Sequence, residues 1–294
     1  MKEYIKTFET ESAMTEYLEG ADIDVFVGYT KDTEKVHWSD ALPNYAEQYL
    51  TFVAEADNMS VGLSDAGNNV FQYSVDNGST WNNLANDQST SSVNSGQTIL
   101  FKASGLTSDF YNGIGTLKPS VNARVQGNIM SLLYSDNFAN ADELTDVNTF
   151  ICLFLNAIKL TSAEHLILPA TTLTDYCYAA MFANCTSLTT APELPATTLA
   201  EGCYKEMFAG CTSLTTAPEL PATTLTDYCY DALFQYCTSL NSITCLATDI
   251  SAVNCTGGWV DGVASSGTFV KAASMSSWTT SNNGIPSGWT VVNA

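Results

Sequence analysis

One segment written three times dominates the sequence between residues 168 and 240. The hexapeptide Leu-Pro-Ala-Thr-Thr-Leu begins at Leu168, Leu194 and Leu220, so that its copies are 26 residues apart (194−168 and 220−194). Two cysteines of each copy keep the same spacing, and they are Cys177, Cys185, Cys203, Cys211, Cys229 and Cys237. A fixed period of this length is typical of stacked units, none of which can bury its apolar face alone. The sequence therefore predicts a β-solenoid in the C-terminal half.

Each copy divides into an extended half and a turning half. Pro192 and Pro195 exclude a helix from the extended half, which is predicted to form a strand. Tyr204, Met207 and Phe208 have the i, i+3, i+4 spacing that predicts a short helical turn. Stacked copies should then align identical side chains in rows, with a core row of Phe154, Phe182, Phe208 and Phe234. The first member belongs to a degenerate copy, in which Ala157 replaces the cysteine.

Positions that differ between the copies are expected to face outward, because stacking does not constrain them. They include an aromatic and charged set that we predict as a ligand-binding surface for a sugar or a protein, formed by Tyr176, Tyr228, Tyr236, Lys205 and Glu206. The alternative interpretation is that these side chains only decorate a solvated face.

Residues 44–124 are predicted to form a small antiparallel β-sandwich. Short β-rich runs at 49–55, 59–63, 70–75 and 98–103 are separated by Gly, Asn, Asp and Ser clusters. The run Ser74-x-Asp76-x-Gly78-x-Thr80-Trp81 resembles the Asp-box, a hairpin motif that recurs in sialidase-type propellers. Because propeller enzymes carry several copies and this chain has one, we interpret it as a turn without catalytic meaning.

The rest of the chain is assigned as flanking segments. Residues 125–256 are the predicted solenoid, entered through a capping strand at 128–134, and residues 257–294 are a C-terminal cap whose aromatic side chains cover the last coil.

Residues 1–43 are too few for a core of their own. They are predicted as a helix at 11–18 and strands at 22–29 and 35–38, with apolar residues that anchor the chain to a particle or to an oligomer partner, or that pack on the next domain: Phe8, Met14, Tyr17, Leu18, Val25, Phe26 and Trp38.

The amino-acid composition restricts the classes of partner that the chain can bind. With 31 acidic and 10 basic residues the net charge is −21, which disfavours nucleic acid and anionic membranes. Seven of the nine cysteines follow the 26-residue repeat, so buried thiols are favoured over disulfides. A zinc site is not expected, because the sequence contains no Cys-x-x-Cys pair. No cofactor is expected. Neither a secretory signal nor a membrane-spanning run is recognised in the sequence, which favours a protein that is made and left in the cytoplasm, unless a signal has been removed; the alternative location is the cell surface.

The unit Cys-Thr-Ser-Leu-Thr-Thr-Ala-Pro-Glu-Leu-Pro-Ala-Thr-Thr-Leu, with the ending Gly-Ile-Pro-Ser-Gly-Trp-Thr-Val, resembles the BspA-like leucine-rich repeats of gut Bacteroidales and their phages over residues 125–294. The resemblance implies adhesion and no catalytic residues. The expected protein is a virion head fibre or decoration protein that is mainly β with short helices. Its expected partners are capsid or other virion proteins, a second or third copy of itself, and a host-surface glycan or protein. The alternatives are a bacterial cell-surface adhesin and, more remotely, a glycan-active enzyme, which would need paired carboxylates.

Overall fold

The structure, a computed structural model, describes residues 4–8, 26–30, 35–38, 44–276 and 278–294. The chain forms two compact units, Met1–Asn44 and Tyr45–Ala294.

The N-terminal unit contains a three-stranded sheet of β1 (Tyr4–Phe8), β2 (Phe26–Thr30) and β3 (Lys35–Trp38). Strand β2 lies between a parallel β1 and an antiparallel β3. The predicted strand and its returning partner are confirmed, whereas β1 was not predicted. Among the predicted anchor residues, Phe8, Phe26 and Trp38 lie at strand ends. The predicted helix at 11–18 and the anchor residues Met14, Tyr17, Leu18 and Val25 lie outside the described residues.

Two sheets face each other in the first half of the second unit, as the predicted sandwich requires. One sheet has the order β12-β11-β4-β9-β6-β7 and the other β10-β5-β8. The strands are β4 (Leu50–Ala54), β5 (Val61–Ser64), β6 (Phe71–Ser74), β7 (Asn82–Leu84), β8 (Gln88–Ser89), β9 (Thr98–Lys102), β10 (Thr116–Pro119), β11 (Ala123–Asn128) and β12 (Leu160–Ile167). All neighbours are antiparallel except β11 and β12. Short 3-10 turns occupy Tyr45–Glu47 and Ser135–Asn137.

The sandwich core follows from alternation along its strands. In β5 the side chains of Val61 and Leu63 are buried, whereas the residues that follow each of them are partly exposed. The central strand β4 is buried along its whole length. Its Phe52 ring packs edge-on against Phe101 at 5.7 Å and against Phe154 at 5.9 Å. Burying such a ring contributes about 1.5–3 kcal/mol, and this one joins the sandwich core to the first repeat.

The junction between sandwich and repeats corrects two expectations. Strand β11 crosses the predicted boundary at residue 124, and β12 extends the same sheet into the repeat region. The strand predicted at 128–134 is wrong, because a short helix α1 (Ser131–Tyr134) forms there. The Asn128 side-chain oxygen accepts a hydrogen bond from the Met130 amide at 2.9 Å, and this bond turns the chain out of the strand. The Ser131 hydroxyl donates to the Phe101 carbonyl at 3.0 Å.

The turning half of each repeat is not helical, contrary to the prediction. In the second copy Tyr176, Ala180 and Asn184 have left-handed φ angles of 54°, 51° and 59°. Odd-numbered residues from 177 to 185 donate their amide to the carbonyl three residues back, whereas even-numbered residues from 176 to 184 donate to the carbonyl 25 residues ahead, in the next copy. Since a helix would use every amide internally, a left-handed residue at every fourth position releases alternate amides for the neighbouring copy.

The extended half is also less regular than predicted. Successive copies touch there through isolated parallel bridges, such as Thr172 with Thr198 and Thr224 with Asp249, rather than through continuous strands. The prolines supply no amide hydrogen, so the ladder cannot run through them. Regular parallel pairing appears beyond the prolines, in a sheet of β13 (Ser242–Cys245), β14 (Thr268–Lys271) and β15 (Thr290–Asn293). The segment predicted as a cap at 257–294 thus continues the parallel arrangement.

Two rows of aromatic rings run through the copies. The predicted row is confirmed: Phe154, Phe182, Phe208 and Phe234 stack with centroids 5.2, 5.5 and 5.9 Å apart. A second row was not predicted, and it consists of Phe150, Tyr178, Tyr204, Tyr230 and Trp259, spaced 5.8 to 6.4 Å. Trp259 also lies 6.3 Å from Phe234, as expected of an aromatic that covers the last copy. Each row is buried only because the copies lie on one another.

Cys185, Cys211 and Cys237 form a third row. All nine cysteines of the chain are buried free thiols, as favoured from the sequence. Cys185, Cys211 and Cys237 each place their sulfur 3.0 to 3.2 Å from the carbonyl oxygen of the phenylalanine one copy earlier. Burial raises the pKa of Cys185 and of Cys237 to about 12, so these thiols stay protonated and act as small apolar fillers.

Candidate ligand site

A tight turn over residues 109–113 holds two aromatic side chains in solvent. The Asp109 carboxylate accepts the amides of Tyr111 at 2.7 Å and Asn112 at 2.6 Å, and these bonds, the one from Asn112 foremost, lower the pKa of Asp109. Asp109 and Gly113 also exchange backbone hydrogen bonds. The turn carries Phe110 and Tyr111, which are 68% and 76% exposed and pack edge to face at 5.1 Å. Adjacent exposed rings on a well-braced turn mark an interaction surface.

The turn is seated closely on the first copy of the repeat. Gly113 has a φ of 56°, and a side chain there would come within 2.7 Å of the Asn148 carbonyl and 2.9 Å of Ile151. The Cys152 thiol lies 3.7 Å from the Tyr111 carbonyl. Only glycine allows this approach, so the position of the two rings relative to the repeat is fixed by backbone packing.

Beneath the turn lies a cavity of about 290 Å³. Three successive copies and the turn contribute its walls: Phe110, Tyr111, Asn148, Ile151, Cys152, Tyr176, Ala179, Ala180, Lys205 and Glu206. The second copy has Ala179 and Ala180 where the third has Lys205 and Glu206. The small side chains of Ala179 and Ala180 leave room for the cavity, and the longer side chains of Lys205 and Glu206 in the next copy border it. The cavity therefore arises from differences between copies.

Charges around the cavity are arranged in pairs with an acidic excess. Lys205 Nζ lies 2.9 Å from an Asp231 carboxylate oxygen, 3.9 Å from Glu206, and 5.7 Å from the centre of the Tyr228 ring. The Tyr176 hydroxyl donates to Glu201 at 2.8 Å. Burial, together with that hydrogen bond, raises the pKa of Tyr176 to about 12, so it stays a neutral donor. The Asp231 and Glu206 carboxylates offset the Lys205 ammonium, and the Glu201 carboxylate adds a further negative charge beside Tyr176, so the site disfavours anions.

The structure brings together three of the five predicted ligand residues. Tyr176, Lys205 and Glu206 line the cavity, and Tyr228 lies at its edge beside Lys205. Tyr236 is 56% exposed but lies outside the cavity lining, with its ring against Gly262 of the following copy.

Sequence reasoning missed the aromatic pair at 110 and 111. The signal was present as Asp109-Phe110-Tyr111-Asn112-Gly113, in which an aspartate followed by Asn-Gly predicts a tight turn. Two adjacent aromatics inside such a turn have no core to enter, which could have marked them as functional candidates.

The Asp-box segment behaves as the predicted turn. The Asp76 carboxylate accepts the Ser74 hydroxyl at 2.7 Å and the Thr80 amide at 2.9 Å, and Gly78 has a φ of 84°. These hydrogen bonds, led by the one from Ser74, lower the pKa of Asp76 to about 2. Trp81 covers the Lys102 ammonium at 4.2 Å. The motif thus packs its tryptophan on the sheet.

The titratable groups of the cavity suit binding. Burial raises the pKa of Cys152 to about 11, which leaves its thiol protonated and weakly nucleophilic at neutral pH. His165 stacks on Tyr45 at 4.5 Å and does not line the cavity.

Within residues 44–276 and 278–294, no group of three or more His, Cys, Asp or Glu is placed to hold a metal ion. No helix in the part of the chain that the structure describes has the length and apolarity to span a membrane.

No protein-family model matches the chain, and the comparisons with curated proteins and with solved structures yield no match either.

Proposed function

We propose that this chain is a non-catalytic virion protein, a head fibre or decoration protein, that displays a leucine-rich-repeat-like solenoid for adhesion to a host surface. The observation that carries the proposal is the cavity under the 109–113 turn. It combines exposed aromatic rings with side chains from the positions that vary between copies. The aromatic residues and cysteines that the copies share are buried in rows, and several variable positions meet at a solvent-facing pocket, as expected of a displayed binding module.

The solenoid assignment is supported by the hydrogen bonds between copies. Alternate amides of the turning halves reach the next copy at 2.7 to 3.1 Å from residue 176 to residue 236. Both aromatic rows keep spacings of 5.2 to 6.4 Å over the same span. The resemblance of the 26-residue unit to BspA-like repeats supports the adhesive role.

The N-terminal unit is proposed as the attachment element. It has its own three-stranded sheet and forms a compact unit separate from residues 45–294. A segment this small gains stability by packing on other chains. We propose capsid or other virion proteins as those chains, with association of two or three copies of the protein. Many copies on one particle would convert weak single-site binding into firm adhesion.

Particle incorporation tests this role. A chain that lacks residues 1–43 is expected to be absent from purified particles, while the full chain copurifies with them. A chain that lacks residues 186–211, one internal repeat, is the matched control and should still be incorporated. Circular dichroism of each purified variant checks that it is folded. Incorporation of the truncated chain at the full-length level would refute the attachment role, and recovery of the protein on the bacterial surface would favour the cell-surface adhesin instead.

A further inference from the structure

We infer that the cavity under the 109–113 turn binds one uncharged sugar ring of a surface glycan. The inference rests on the adhesive role proposed above and adds the chemical class of the ligand and its position.

The aromatic pair supplies the apolar contact that a sugar needs. Phe110 and Tyr111 are among the most exposed large side chains of the described residues, at 68% and 76%. The negative faces of such rings attract the polarised C–H groups on one face of a pyranose. The braced turn holds both rings before a ligand arrives, which reduces the entropy lost on binding.

The same cavity is also lined by two charged side chains, Lys205 and Glu206, which supply the polar contacts. The Glu206 carboxylate can accept two neighbouring hydroxyls, and the Lys205 ammonium can donate to ring or hydroxyl oxygens. Both side chains come from one copy, and their backbones are tied to the neighbouring copies, with the Glu206 amide donating to the Asp231 carbonyl at 2.8 Å and the Lys205 carbonyl accepting the Ala180 amide at 2.8 Å. An apolar wall faced by a few convergent polar groups is the usual construction of a small-ligand site.

Size and charge select among ligands. A volume of about 290 Å³ lies at the lower limit of small-molecule pockets, about 300 Å³, and suits one ring rather than a protein segment. The carboxylates of Asp231 and Glu206 lie 2.9 and 3.9 Å from Lys205, the one basic residue that lines the cavity, on a chain of net charge −21. An anionic sugar such as a sialic acid would be repelled, so we commit to an uncharged hexose or N-acetylhexosamine.

The test is saturation-transfer difference NMR with the full chain. The probes are the methyl glycosides of galactose, glucose, mannose and N-acetylglucosamine, with the methyl glycoside of N-acetylneuraminic acid as the anionic comparison. We expect at least one uncharged glycoside to receive saturation, with a Kd on the order of 1 mM. Tyr111→Ala should reduce that signal at least tenfold, and Glu206→Gln should weaken binding several-fold. Tyr236→Ala, which removes an exposed tyrosine outside the cavity, should leave it unchanged.

Several results would overturn the inference. They are no transfer to any uncharged probe at about 20 mM, stronger transfer to the anionic glycoside, or a signal that survives both Tyr111→Ala and Glu206→Gln. Tyr111 is 76% exposed and the Glu206 side chain 47% exposed, so neither change removes core packing, and the two variants test the aromatic and the polar contacts separately. Loss of sugar binding without loss of particle incorporation would leave the proposed virion role intact, so the two proposals fail separately.

Discussion

The sandwich and the stacked copies satisfy their polar groups in different ways. In the sandwich two tyrosine hydroxyls have specific partners: the Tyr73 hydroxyl lies 3.2 Å from the Ser91 hydroxyl, and the Tyr49 hydroxyl donates to Asp136 at 2.7 Å. In the copies the hydroxyls of Tyr178, Tyr204 and Tyr230 are buried and find no partner within residues 44–276 and 278–294. In the copies these tyrosines therefore contribute through the stacking of their rings on one another, even though their hydroxyls make no hydrogen bond in the described residues.

The largest test of this difference is a change of repeat length. Removing residues 186–211 joins Cys185 to Thr212 and restores the shared Cys-Thr-Ser sequence, so the shortened array should still unfold cooperatively. Removing residues 186–198 instead places a turning half where an extended half belongs, and the array should lose its cooperative transition. Urea denaturation followed by circular dichroism measures both. A cooperative transition in the half-length deletion would show that stacking in register is not what holds the copies together.

A smaller effect compares one tyrosine from each region. Tyr73→Phe removes the bond to the Ser91 hydroxyl and leaves the Ser91 amide, which donates to Tyr73 at 3.2 Å, without that acceptor, so we expect a cost of about 1–2 kcal/mol. Tyr204→Phe removes a buried hydroxyl without a partner in the described residues and should raise the free energy of unfolding by about 1 kcal/mol. Urea midpoints of the two variants and the parent chain give the comparison. Equal losses in both variants would contradict it.

The smallest effect concerns acid. The pKa of Asp76 is about 2 in the folded chain against an ordinary value of 3.8. This carboxylate therefore contributes stability above pH 3.8 that is lost as the pH falls through about 2. The buried thiols of the copies are protonated in both states over this range and contribute nothing to the change.

Urea midpoints between about pH 5 and about pH 2 should therefore fall less in Asp76→Asn than in the parent chain, by a small margin because the group is exposed. An identical fall in both proteins would show that the hydrogen bonds of the turn do not stabilise the fold.

Sequence reasoning succeeded where a local pattern has one physical cause. β-rich runs separated by Gly, Asn, Asp and Ser clusters predicted sandwich strands at 49–55, 59–63, 70–75 and 98–103, and strands form at 50–54, 61–64, 71–74 and 98–102. The period of 26 predicted the phenylalanine row, because identical residues in register must stack. The aspartate and glycine of the Asp-box predicted its turn for a similarly local reason.

Prediction failed where the cause was not local. Tyr204, Met207 and Phe208 have helical spacing, yet alternate amides of this segment donate to carbonyls of the neighbouring copy. No pattern within one copy indicates these hydrogen bonds between copies. Asn128 ended a strand through its own side chain, which apolar weight alone could not indicate. In the ligand site, Tyr176, Lys205 and Glu206 were found by comparing copies, whereas Phe110 lies in a single-copy segment where no such comparison exists.

Hydrogen bonding between the turning halves has a direction, since each turning half donates its free amides to the copy that follows it. At the end of the array the acceptors no longer belong to a copy of the repeat. The Gly258 amide donates to the Asn283 side chain at 2.7 Å, and the Val260 amide donates to the Asn282 carbonyl at 3.3 Å. Internal units are thus interchangeable while both ends are unique. Each added or removed internal unit would therefore lengthen or shorten the array by about 5 Å, the spacing of paired strands, without altering either end.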